Sequence, residues 1–409
     1  MMVPTADPTP HRFASLDGIR AVAATVVVVF HAAVTTQVTA GGTLAGDAAR
    51  GLGNLGVGVF FALSGFLLYR PYATAHFGDT APRPLRRYVR HRVLRIFPAY
   101  WLAAGASILV FGLAVPATLG NVLGVVTLTD MYFSKPYLST TPVPVAWTLT
   151  AEVAFYLLIP VVALVISRGL GARARSPHGK LAVQLVGIGA LVTIAYLYRS
   201  VVLLTDIAFP VNAYSYFITY LDWFGGGMLL AVAVAWRDTG GTLPNWMEGL
   251  GKRWWLSWGL AGWAYVVAVA LRDRSLPDGI AMGGIVANER LITLALTAIT
   301  SALVVLPAVI GERDRGPMAR TLQLRTMTWL GMVSYGIYLW HLLVMRWLNT
   351  TLEMRDFLPL LATTIVITIP IAAASWYLVE APLLRRKDPR GRPDSPERGA
   401  AAAGQSVEI

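Results

Sequence analysis

The chain reads as an all-α integral membrane protein, a bundle of about ten transmembrane helices with both termini in the cytoplasm. Three observations carry this reading. Of the 409 residues, 56% are hydrophobic and only 14% are charged, where a soluble domain has about 25% charged residues. Apolar runs of roughly 17–25 residues, each able to cross a bilayer, recur ten times. Basic residues are also unevenly shared between the two sides. With the N-terminus inside, the inner segments hold 25 of the 34 Lys and Arg residues, the outer ones hold 8, and Arg20 lies within a span. That excess favours the cytoplasm for both termini, and the plasma membrane as the location.

The ten runs lie at 18–38, 52–72, 94–115, 144–167, 180–204, 214–236, 254–272, 288–310, 328–349 and 357–379. The first, DGIRAVAATVVVVFHAAV, is longer than a signal-peptide core and carries Arg20 and His31, so it reads as a retained helix. The third follows a basic stretch, RRYVRHRVLR. Segment 118–132 is apolar but too short to span, and reads as an interfacial or re-entrant piece. The remaining runs rest mainly on apolar length. Residues 1–17 form a polar N-tail, 18–384 one membrane domain, and 385–409 a charged, Pro- and Gly-containing C-tail expected to be disordered.

Composition also excludes several functions. The absence of cysteine removes disulfides, thiolate metal sites and a cysteine nucleophile. Six histidines without HExxH or clustered spacing leave no protein metal site. The net charge of +12 is dispersed over short loops rather than along a stripe, so membrane lipid is the expected partner and nucleic acid is not.

Arg20 and His31 are eleven residues apart. At about 100° per residue this is roughly 1,100°, within about 20° of whole turns, so both occupy one helix face about 16 Å apart along the axis. An uncompensated ionisable group at mid-membrane costs roughly 2.5–3.5 kcal/mol or more, and two on one face point to a lined site. Glu152 in the fourth helix, Asp222 in the sixth and His341 in the ninth project to the same outer level as His31, roughly 10–12 Å below the outer boundary. At the cytoplasmic end, Arg92 and Arg95 are i,i+3 neighbours, and paired guanidiniums suit a phosphate-bearing ligand. Ser64 reads as a close-packing residue. Trp147, Tyr100 and Tyr156 read as interface anchors, and Glu380 as the ion-pair partner of Arg385 or Arg386.

These residues resemble the acyltransferase 3 family of membrane O-acyltransferases. GIRAVAATVVVVFH is similar to its Arg–ten residues–His motif and FFALSGFLL to its second-helix signature. RVLRIFPAYW resembles its basic segment and WTLTAEVAFYLLIP its Glu-bearing block. SYGIYLWH and VEAPLLRR close the series, which runs in order from about residue 13 to 386. One departure is Tyr220, where family members often carry Arg.

The resemblance implies transfer of an acetyl or other short acyl group from cytoplasmic acyl-coenzyme A to a hydroxyl of a sugar-containing acceptor. That acceptor could be a cell-surface glycan, a glycolipid or a secreted glycosylated natural product such as a macrolide. His31 would be the general base, with Glu152 and Arg20 as further catalytic residues and Arg92 and Arg95 holding the donor. Asp222, His341, Tyr338 and Trp147 are candidates for binding substrate. No tightly bound cofactor is expected beyond the acyl-coenzyme A donor. Direct attack and an acyl-histidine intermediate both fit the sequence, as do several oligomeric states. A proton-coupled secondary transporter is the competing function, because intramembrane His, Asp and Glu also build proton relays.

Overall fold

A computed structural model describes residues 13–385 except 42, 83, 113–117, 134–140, 170, 172–173, 175, 205–212, 272–286 and 312–315. The N-tail up to residue 12 and the C-tail from residue 386 lie outside the described residues. The described chain is 88% helical with no strand. Nine helices among these residues are long and apolar enough to cross a membrane, making this a multi-pass membrane protein. In chain order the apolar helices are α1 (Ala14–Thr35), α2 (Leu44–Phe77), α3 (Leu85–Phe111), α4 (Ala146–Leu164), α5 (Pro177–Leu204), α6 (Leu221–Asp238), α7 (Trp254–Ala270), α8 (Ala287–Ile310), α9 (Arg325–Thr351) and α10 (Phe357–Ser375). With 17 residues, α7 is the shorter one that falls below that length. Segment 118–132 forms two short helices, Leu119–Thr127 and most of Asp130–Phe133, as its length predicts.

Several boundaries differ from the apolar limits. The 34-residue α2 begins eight residues before its run, capped by the Thr43 hydroxyl, which accepts the Gly46 N–H at 3.1 Å. Helix α3 begins at Leu85, so the whole RRYVRHR stretch is helical. Charged residues such as Arg are good helix formers, and hydropathy cannot register a helix that continues into water.

Small residues set the close approaches. Added Cβ atoms at Gly65 and Gly227 would meet the backbones of Phe224 and Ala62, so α2 and α6 pack backbone to backbone. Gly331 brings α9 equally close to Asp17 of α1. Two prolines supply cross-links. Having no N–H, Pro160 of α4 leaves the Tyr156 carbonyl without its helical donor, and the Tyr88 hydroxyl of α3 donates to it at 3.0 Å. Pro307 of α8 likewise frees the carbonyl of Leu303, which accepts the Ser257 hydroxyl of α7 at 2.8 Å.

The N-terminal parts of α1, α3 and α9 and the segment following α10 gather at one end of the bundle, around Asp17, Arg92, Gly331 and Trp376. We call this the basic end. Away from it, α5 and α6 share a buried ion pair, Arg199 Nη1 to Asp222 Oδ2 at 2.9 Å. Arg199 Nη2 also donates to the Thr219 carbonyl. A charge with so little access to water must be paired.

Asp130 lies outside the ten apolar helices, 3% exposed, with Oδ1 unpartnered. Burial pushes its carboxyl up to about 6 from 3.8. A raised acid pKa contributes stability that is fully present below the unfolded value and is lost as pH rises through the folded one. The wild-type melting temperature should therefore fall from pH about 4 to above pH about 6, relative to Asp130→Asn. Parallel melting curves across that window would refute the assignment.

Candidate active site

A cavity of about 310 Å³ opens between α1, α2, α3, α4 and α9. Its charged wall is formed by Arg20, Arg92, Arg95 and Glu152, and its inner end by Phe60 and Tyr338. The same three arginines also line a vestibule of about 300 Å³ at the basic end, together with Asp17, His91 and Trp376. The two spaces are thus joined by a ring of guanidiniums.

Each arginine is held from behind. Arg20 pairs with Asp17 one turn earlier, at 3.2 Å. The Arg92 guanidinium lies over Tyr156 at 5.4 Å and Tyr88 at 5.8 Å, with its Nε buried and unbonded. Arg95 lies 5.1 Å over Trp376 and 3.8 Å from the carboxylate of Glu380. Glu380 is therefore a buried partner of Arg95, while the Arg385 and Arg386 side chains lie outside the described residues. The backbone around it, Trp376–Glu380, is a π-helical turn, an irregularity frequent at functional sites.

Glu152 faces the cavity from α4. Its Oε1 accepts from the hydroxyls of Ser64 and Tyr156, each at 2.6 Å. Ser64 thus lines the cavity, while its neighbour Gly65 makes the packing contact. No pattern in the sequence flags this bond, because Ser64 and Glu152 are 88 residues apart.

His31 lies one layer beyond the inner end, and its partner is His341 rather than Glu152. The rings are 4.9 Å apart, with His341 Nε2 3.1 Å from His31 Nδ1. His341 is fully buried, whereas His31 is half-buried. Tyr338 separates this pair from the cavity. Its ring lies 6.0 Å from Phe60 and 5.9 Å from His341, and its hydroxyl bonds to Thr148 and to the Val145 carbonyl.

The cavity thus carries three arginines at one end, and an imidazole pair lies one layer beyond the other. The sequence profile of the acyltransferase 3 domain family matches residues 13–380. The chain belongs to that family. It is a membrane acyltransferase. No curated protein and no solved structure matches it.

In this acyltransferase the predicted site residues divide into three groups. Arg20, Arg92, Arg95, Glu152 and Tyr338 share the cavity. His31 and His341 form the pair behind it. Asp222 and Trp147 lie elsewhere, Asp222 in its ion pair with Arg199 and Trp147 against the ring of Tyr220 at 5.5 Å. The level shared by four ionisable groups thus resolves into three separate sets of contacts.

Proposed function

We propose that this protein moves a short acyl group from acyl-coenzyme A, entering at a cytoplasmic basic end, to a sugar-borne hydroxyl approaching from the opposite side. The observation that supports this most is the shared arginine ring. A coenzyme A nucleotide carries several phosphate charges, and Arg20, Arg92 and Arg95 offer fixed, permanently charged donors at the mouth of a cavity of about 310 Å³ that would take its slender arm. The carboxylate of Glu152, braced by Ser64 and Tyr156, can accept an amide N–H of the pantetheine. The thioester then lies toward Phe60 and Tyr338.

At the inner end, Nε2 of His31 takes the proton of the acceptor hydroxyl as its oxygen bonds to the thioester carbonyl carbon. The C–S bond breaks on collapse of the adduct. The departing sulfur takes that proton back from His31, giving the free thiol and leaving the base neutral. His31 is the partly exposed member of the pair, so an acceptor reaches it from outside while His341 stays enclosed. Arg20 steadies the donor at the mouth, at the far end from the reacting sulfur. Transfer in this direction needs the thioester to pass Tyr338, so the aromatic wall opens when the donor is bound.

The test is a radiolabelled acetyl-coenzyme A assay on purified protein, offered a panel of envelope sugars and hydroxylated glycosides beside His31→Ala. Label on an acceptor with wild type alone supports the reading and names the acceptor class. Failure to bind coenzyme A would overturn it in favour of transport.

A further inference from the structure

The contacts of the two imidazoles admit one assignment of their protons. Nδ1 of His31 lies 2.9 Å from the Val27 carbonyl oxygen, and Nδ1 of His341 lies 3.1 Å from that of Ile337. A carbonyl oxygen only accepts, so both Nδ1 atoms carry hydrogen and both Nε2 atoms carry a lone pair. The lone pair of His341 then meets the Nδ1–H of His31, which it shares with Val27. The opposite assignment, with protons on Nε2, would set a nitrogen lone pair against a carbonyl oxygen at both rings. It leaves two repulsive contacts in exchange for none.

We propose that His341 is a positioning residue that, together with the Val27 carbonyl, holds His31 in the Nδ1–H tautomer and so presents His31 Nε2 as the basic atom. Nε2 of His31 has no hydrogen-bond partner among the described residues, as an atom awaiting a substrate proton requires. The inference rests on His31 being the base. Which ring nitrogen of a histidine is basic is set by the bond its other nitrogen makes. Here that bond goes to a second neutral imidazole, which orients the base without burying an ion beside it. His341 does not pass protons on, because its own Nδ1–H faces the Ile337 carbonyl, which cannot take one. The rings of Phe30, at 4.8 Å from His31, and Tyr338 hold the pair in place.

The experiment is two-bond ¹⁵N–¹H spectroscopy of protein labelled at its histidine rings, at mildly alkaline pH in nanodiscs, with His31→Ala assigning the His31 signals. Turnover is measured alongside. Wild type should show His31 protonated at Nδ1. His341→Gln, whose side-chain oxygen can accept the same hydrogen bond, should keep that tautomer and most of the turnover. His341→Phe, similar in size but with no acceptor, leaves Val27 alone to hold the proton and should show a larger share of the Nε2–H tautomer than wild type. Its kcat should fall about tenfold, the loss of one hydrogen bond, at unchanged donor KM. Wild-type His31 protonated at Nε2 would overturn the proposal, as would His341→Phe with unaltered tautomer and turnover. If His341→Phe does not fold, the wild-type tautomer and the Gln variant still decide. Normal transfer by His31→Ala would instead remove the base itself, while the tautomer measurement stood unaffected.

Discussion

His31→Ala should lower acyl transfer by roughly 10²–10⁴-fold, the usual contribution of a positioned general base. The donor KM should hardly change, because His31 lies outside the cavity that Arg20, Arg92 and Arg95 line. The variant should insert and fold normally. His31 is half-buried and makes no ion pair among the described residues, so its removal leaves the His341 lone pair facing a space that water can enter. Initial rates over a donor titration, with membrane yield and melting temperature as controls, check this. A fall in KM-dependent rates alone would place His31 in donor binding. An unchanged kcat would remove it from the chemistry.

Arg92→Gln with Arg95→Gln should act on the other quantity. Hydrogen bonds to charged groups contribute roughly 1.5–3 kcal/mol each, and two contacts this close are not fully additive. The double variant should therefore bind coenzyme A roughly 10²–10⁴-fold more weakly, with kcat at saturating donor altered far less. The two positions carry different risks. Arg92 rests on tyrosine rings through its face, so its loss removes packing that a shorter amide cannot replace. Arg95 is the counter-charge of Glu380, which is 1% exposed, and its removal leaves a buried carboxylate facing a neutral amide. Arg95→Lys keeps that charge and separates loss of phosphate contact from loss of the ion pair. Equilibrium binding of labelled coenzyme A to the purified variants gives the result. Unchanged affinity in the double variant would reduce both arginines to topological signals.

Much of this was legible in the chain because membrane solvation leaves few options. A run of apolar residues must become a helix to satisfy its own backbone, and ten runs became ten apolar helices in order. What hydropathy could not show was where helices continue past the apolar core, as α2 and α3 do. The site was legible one helix at a time. The spacing of Arg20 and His31 and that of Arg92 and Arg95 fix faces within an element, and the three arginines reached one cavity, with His31 one layer beyond it. Contacts between elements were not legible. Depth alone placed Glu152, Asp222 and His341 level with His31, but rotation about each helix axis decides which of them meet. Only His341 faces His31. Arg199 offered a further signal, a cation within an apolar helix that needs a buried anion, and Asp222 is that anion. For Glu380, sequence proximity pointed to Arg385 and Arg386, whose side chains lie outside the described residues, and could not show that the fold also brings Arg95 of α3 alongside.

The partition formed by Phe60 and Tyr338 has a meaning for the cell as well as for the reaction. A multi-pass protein with a deep chamber at one end and a half-buried imidazole beyond it risks becoming a leak. Moving one elementary charge down a membrane potential releases about 2.3 kcal/mol per 100 mV, so a continuous file of water through the bundle would drain the gradient. An edge-on aromatic contact 6.0 Å between centroids, tethered by its phenol to Thr148 and Val145, breaks such a file where it would be thinnest. In the proposed transfer the donor's slender arm would take the place of the rings it displaces, exchanging one stopper for another.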